Sequence, residues 1–111
     1  MKILHVLTQL PAKTGSGVYF TNLIDSLNNM GYENAAIFGT EKIYDNQVNT
    51  ELLKPVYYNT EDMPFRICGM SDQMPYDSTV YSQMTEEEID ILISNFRKAL
   101  IEVKEEFKPD I

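Results

Sequence analysis

The run Lys2-Ile3-Leu4-His5-Val6-Leu7 carries apolar side chains at both odd and even positions. Successive residues of a strand face opposite sides. Such a run is therefore buried fully only when both faces are covered, as in a parallel strand between two helical layers. This pattern predicts a central position in a parallel sheet. A loop ending Thr14-Gly15-Ser16-Gly17 comes next, and from Gly17 onward Phe20, Leu23, Ile24, Leu27 and Met30 recur at helical spacing, with Gly31 placed to stop the helix. Asn34-Ala35-Ala36-Ile37-Phe38-Gly39 reads as a second strand. Strand, helix and strand at this spacing form a right-handed βαβ unit.

Residues 40–84 hold no sustained periodicity and read mostly as loop, with two extended pieces, Pro55–Asn59 and Phe65–Cys68, separated by Pro64. The first is the better candidate for a third strand. Thr85 followed by Glu88 forms a capping box, and Glu86 and Glu87 favour a helix start electrostatically. Ile89, Leu92, Ile93, Phe96, Leu100, Val103 and Phe107 trace one apolar face, which Pro109 ends. The expected fold class is α/β: a three-layer parallel sheet of about three strands plus two main helices.

With 111 residues there is one domain at most, and a chain of this size hides about 65% of its unfolded surface. Seventeen acidic against nine basic residues give a net charge of −8. That argues against nucleic acid or anionic membrane as the main partner, since both call for a positive surface. One cysteine, Cys68, makes no internal disulfide, and with His5 the only histidine no zinc constellation is expected. The apolar run breaks at Thr8-Gln9, too early for a signal peptide. No stretch spans a membrane. The expectation is a cytoplasmic protein, with peripheral membrane attachment left to any part beyond these residues.

Gly15, Ser16 and Gly17 are the first candidates for a site. Glycines let the backbone approach a ligand, and the first N–H groups of a helix lack internal partners and attract anions. The nucleotide-triphosphate loop does not fit, because Lys13 and Thr14 precede the glycines instead of following them. The dinucleotide fingerprint is weakened by Phe20, which stands where its third glycine belongs, although Glu41 beyond the second strand could mimic the ribose-binding acid. The glycines could equally serve only to turn the chain. His5, within the first strand, reads as a hydrogen-bonded core histidine, Cys68 as a small buried hydrophobe, and Glu86–Glu88 as helix capping. The polar segment from Met70 to Thr79 includes Ser71, Asp72 and Tyr76. It is either a cleft-lining loop or a solvated turn.

Taken in order, Met1–Leu7, the Thr14–Gly17 loop, the helix Asn22-Leu23-Ile24-Asp25-Ser26-Leu27 running to Met30-Gly31-Tyr32, and Phe107-Lys108-Pro109-Asp110-Ile111 resemble the start of a group 1 (family 4) glycosyltransferase of the two-domain GT-B type. The segment from Pro64 to Tyr76 is also similar to a stretch found in one bacterial branch of that family. The resemblance covers essentially the whole chain, and order and spacing carry it.

It implies that residues 1–111 are part of a Rossmann-like, acceptor-side N-terminal domain. The enzyme would move a sugar from a nucleotide-sugar donor to an acceptor hydroxyl without metal or other cofactor. Gly15, Ser16 and Gly17 would then lie at the interdomain cleft near the donor diphosphate or acceptor, with Ser71, Asp72 and Tyr76 on an acceptor-side loop. Family members continue past Pro-Asp-Ile into a fourth strand, a histidine-bearing loop and a second domain with paired glutamates. On this basis no catalytic residue is expected in these 111 residues, and the chain alone is expected to be inactive. The open edge of the first strand is expected either to pair with a second copy or to be covered by the chain's own C-terminal segment. The alternatives are a fragment of a dinucleotide-binding oxidoreductase and a non-enzymatic flavodoxin-like interaction domain. The latter lacks the acids expected after the first strand, where Thr8, Gln9 and Leu10 stand instead.

Overall fold

Lys2–Leu7 forms strand β1 and Glu33–Thr40 forms β2, paired in parallel with Lys2 opposite Glu33 and Leu7 opposite Phe38. The computed structural model describes all 111 residues. Helix α1, Gly15–Asn29, connects the two strands. It begins where Thr14 turns its hydroxyl back onto the helix, and it ends through Met30 into Gly31, whose φ of 88° suits a residue without Cβ. Leu52–Tyr57 forms β3, parallel to β2, so the sheet order is β1-β2-β3. Cys68–Gly69 (β4) and Thr79–Val80 (β5) make a separate two-stranded parallel pair, a single 3-10 turn follows at Tyr81–Gln83, and helix α2 spans Glu86–Phe107.

Three layers result. On β2, Ala36 and Phe38 face Phe20 and Ile24 of α1, while Ala35 and Ile37 face the larger core that holds Leu92, Phe96, Ala99, Val103 and Phe107 of α2. Each large α2 side chain removed from water contributes about 2 kcal/mol. The Thr85–Glu88 capping box is complete, with Glu88 N–H donating to Thr85 Oγ1 at 3.1 Å and Thr85 N–H donating to Glu88 Oε1 at 2.9 Å. The α2 stripe is narrower than its sequence suggests. Ile89, Ile93 and Leu100 remain partly in solvent, because α2 packs over β2 and β3 and only one side of the broad apolar face meets the sheet.

Two further expectations are corrected. The central strand is β2, buried continuously from Asn34 to Thr40, whereas β1 lies at an edge with Val6 46% exposed. β3 begins three residues before Pro55 and ends before Asn59, whose φ of 58° turns the chain away. Pro55 is tolerated inside the strand for a geometric reason. Tyr58 N–H donates to Thr40 C=O at 2.8 Å, so the even-numbered amides point toward β2 and the odd-numbered ones toward the outer edge. Pro55 occupies an outer position, where a missing donor interrupts no ladder.

The open edge of β1 is covered at one end by the chain itself. Leu4 N–H donates to Ile111 C=O at 2.8 Å, and Lys2 C=O accepts from Asp110 N–H at 2.7 Å and from Ile111 N–H at 3.3 Å. Lys2 N–H donates to Asp110 Oδ2 at 2.8 Å, and its ammonium sits 5.3 Å from the centre of the Phe107 ring. Helix α2 thus returns the chain beside β1, on the side opposite β2.

Candidate functional site

Parallel α/β sheets bind ligands outside the carboxyl ends of their strands, where successive crossovers diverge to opposite faces. Here that place is the end of β1. Helix α1, which follows β1, lies on one face, and α2, which leads to Ile111 beside β1, lies on the other. Beyond Leu7, Leu10 enters the core on the α2 side, while Gln9 is 2% exposed and donates through Nε2 to Ser16 Oγ at the start of α1.

Gly15-Ser16-Gly17 is not a loop ahead of the helix; it is the first turn of the helix itself. The physical reason is the Thr14 cap: Gly17 N–H donates to Thr14 Oγ1 at 3.1 Å and Val18 N–H to Thr14 C=O at 2.8 Å. The N–H groups of Gly15 and Ser16 make no internal hydrogen bond, and both residues are exposed. The two glycines have different roles. A Cβ on Gly17 would meet Leu10 C=O at 2.6 Å and Ala12 N at 2.7 Å, so Gly17 is set by the loop crossing over it, whereas Gly15 faces open space.

Charge distinguishes the two helix starts. The first turn of α2 has Glu86, Glu87 and Glu88, while that of α1 has no acid and is preceded by the exposed Lys13, which forms no ion pair. The positive end of the α1 dipole is therefore uncompensated and suited to an anion. A shallow hollow of about 430 Å³ extends from Gly15 along Val18 and Tyr19 to Ser26.

The opposite side of the β1 end is closed by residues 68–81. Tyr81 and Thr8 share a hydroxyl hydrogen bond of 3.0 Å, and Tyr58 donates to Thr8 C=O at 2.8 Å. Tyr76 packs half-buried against the core. Its hydroxyl is enclosed and faces the Leu10 backbone without completing a hydrogen bond. The structure thus brings Tyr76 to the β1 end, while Ser71 and Asp72 stay in an exposed turn, where Ser71 donates to Gln73 C=O at 2.8 Å. Burial pushes the Cys68 thiol up to about 11 and holds the Tyr58, Tyr76 and Tyr81 hydroxyls above their usual range. None of the four is set up as a nucleophile or general base near neutral pH.

Glu41 is not free to bind a ribose. It is 1% exposed, and its carboxylate accepts from Arg66 Nε at 2.9 Å, from Ile67 N–H at 3.1 Å and from Asn59 Nδ2 at 3.5 Å. His5 is a core residue as the sequence implied, with Nε2 2.8 Å from Asn34 Oδ1 and its ring edge-on to Phe20. Because Asn34 Nδ2 already donates to Asn28 Oδ1 and Tyr32 C=O, Asn34 Oδ1 is the acceptor and His5 Nε2 carries the proton. No group of three His, Cys, Asp or Glu side chains converges as a metal site requires, and no helix is long and apolar enough to cross a membrane.

Gln9 is the site residue that motif reasoning passed over. The polar pair Thr8-Gln9, where the apolar run ends at the strand's carboxyl end, was the available signal. No protein-family model, curated protein or solved structure matches the chain.

Proposed function

We propose that this chain is the acceptor-side portion of a GT-B glycosyltransferase, and that the start of α1 positions the diphosphate of a nucleotide-sugar donor. The observation that carries the reading is the pair of unpartnered, exposed N–H groups of Gly15 and Ser16. They lie at the carboxyl end of β1, on a helix start without acids and beside the unpaired Lys13. Such a site stabilises an anion without supplying an acid, base or nucleophile, in keeping with a positioning role for Gly15, Ser16 and Gly17. Tyr76 would form the acceptor side of the same cleft, with Ser71 and Asp72 at its rim.

The dinucleotide-oxidoreductase alternative loses its support at Glu41, whose carboxylate is engaged internally. Titration of the ¹⁵N-labelled chain with a uridine diphosphate sugar and, separately, with a nicotinamide dinucleotide tests the reading. Saturable shifts of the Gly15–Gly17 amides with the sugar nucleotide are expected. Shifts confined to the dinucleotide, or none with either, would overturn it. The isolated chain is expected to transfer no sugar, and transfer above a buffer control would contradict that expectation.

A further inference from the structure

Helix α2 has two unlike flanks. One meets β3: Glu102 pairs with Lys54, and Asn95 Nδ2 donates to Asp62 C=O at 3.5 Å. The other carries Ile89, Ile93 and Leu100 in a row that Phe107 continues to Lys2 of β1, and Ile93 in its middle is 47% exposed. Val6 faces the same side, because its ladder partner Ile37 belongs to the core beneath α2. Since α2 crosses β2 and β3 and not β1, an apolar trough is left open, with β1 as its floor and the flank of α2 as its wall.

The floor ends in an unpaired edge. Leu4 N–H and Lys2 C=O point outward to Ile111, so by the alternation of the strand the N–H and C=O of Val6 point the same way, beyond Ile111. They pair with nothing within the chain. The charges beside the row also divide in chain order: Glu86 and Asp90 are exposed along its N-terminal half, Arg97 and Lys104 along its C-terminal half. A surface so divided complements itself when reversed.

Height along the sheet locates the axis of that reversal. The Lys2 ammonium donates to Phe107 C=O at 3.2 Å, which sets these two residues level. Val6 lies four strand residues further, about 13 Å, which corresponds to about nine residues back along α2. That level is close to the midpoint between Ile93 and Leu100. One two-fold axis therefore serves both the strand and the helix.

We propose that the trough is covered by a second copy of this chain, related by a two-fold axis beside Val6. The two β1 edges exchange the Val6 N–H and C=O groups in antiparallel pairing, and the two α2 helices pack antiparallel over the seam, Ile93 of each against Leu100 of the other. The acidic half of each helix then lies along the basic half of its neighbour. Pairing occupies both β1 edges and leaves only the β3 edges, which Pro55 interrupts, so assembly stops at two. The inference is independent of the anion-site reading, since none of its residues belongs to the start of α1.

Sedimentation equilibrium of the full chain tests it. The interface is small, and the mass is expected to rise from 12.8 kDa toward twice that value with a dissociation constant of about 10–100 μM. Ile93→Glu is expected to keep the one-chain mass and the wild-type melting temperature at low concentration. Asp90→Lys and Lys104→Glu are each expected to weaken self-association at least about fivefold, and an equimolar mixture of the two to restore it, because opposite charges then meet at both ends of the seam. Hydrogen exchange at the Val6 amide is expected to slow as protein concentration rises. A one-chain mass up to about 1 mM overturns the proposal. So does undiminished association of Ile93→Glu, a mixture no tighter than its components, or Val6 exchange that ignores concentration. A mass growing past two chains would mean open-ended association and would equally overturn the closed pair.

Discussion

Ile111 lies in parallel register with Ile3: the carbonyl of Ile111 accepts from Leu4 N–H at 2.8 Å and its amide donates to Lys2 C=O. This is the bridge that a strand added beside β1 would make first. Removing Pro109–Ile111 is expected to leave α2 helical while exposing the Leu4 amide. Hydrogen exchange at Leu4 should accelerate at least about tenfold, the effect of losing about 1.4 kcal/mol of local protection. Unchanged exchange would show that the bridge does not persist in solution.

Gly15 and Gly17 are expected to respond oppositely to alanine. At Gly17 the new methyl would collide with the Leu10 and Ala12 backbone, and a loss of about 3 kcal/mol is expected from the displaced loop. At Gly15 it enters open space, and the better helix former should add about 0.5 kcal/mol. Urea denaturation of the two variants separates the structural glycine from the accessible one.

Glu41 ties the end of β2 to residues 59–67. Glu41→Ala leaves the Ile67 N–H buried without its acceptor, and is expected to destabilise the fold by about 2 kcal/mol. Chemical denaturation measures the loss. A nearly neutral substitution would mean that the carboxylate is dispensable there and open to other use.

Alkaline pH should weaken the fold before it weakens the helices individually. The unfolded Cys68 thiol ionises near 9.0, whereas burial keeps it protonated in the folded chain up to about 11. The unfolded state therefore binds fewer protons between these values, so stability falls as pH rises. The Cys68 contribution is fully present below 9.0 and lost by about 11. Tyr58, Tyr76 and Tyr81 act in the same direction, each held protonated chiefly by burial. Melting temperatures between pH 8 and 11 should fall, and Cys68→Ala should make the fall shallower. A parallel fall in the variant would show that the thiol plays no part.

Elements announced by local chemistry were the legible ones. The Thr85–Glu88 box, the Gly31 stop and the two-sided apolar run of β1 each depend on neighbours within a few residues, and each lies where the sequence placed it. Neighbours across the sheet were less legible. That β2 is central and β1 an edge depends on which strands pair, and the early start of β3 depends on Pro55 facing outward. The site divides in the same way. Gly15–Gly17 stood out as a helix start, but the crossing of Gly17 by Leu10 arises from the way the loop after β1 folds back over that start, which no spacing rule encodes.

Pro55 makes the two sides of the sheet unequal in a way that governs assembly. A strand approaching β3 from outside meets a gap in the row of donors between Leu53 and Tyr57, and the pairing that would propagate aggregates edge to edge is interrupted at its midpoint. At the β1 side, the outward groups beyond Leu4 are intact and already primed by Ile111. The sheet is thus a template with one permissive side, and lengthening it is directional.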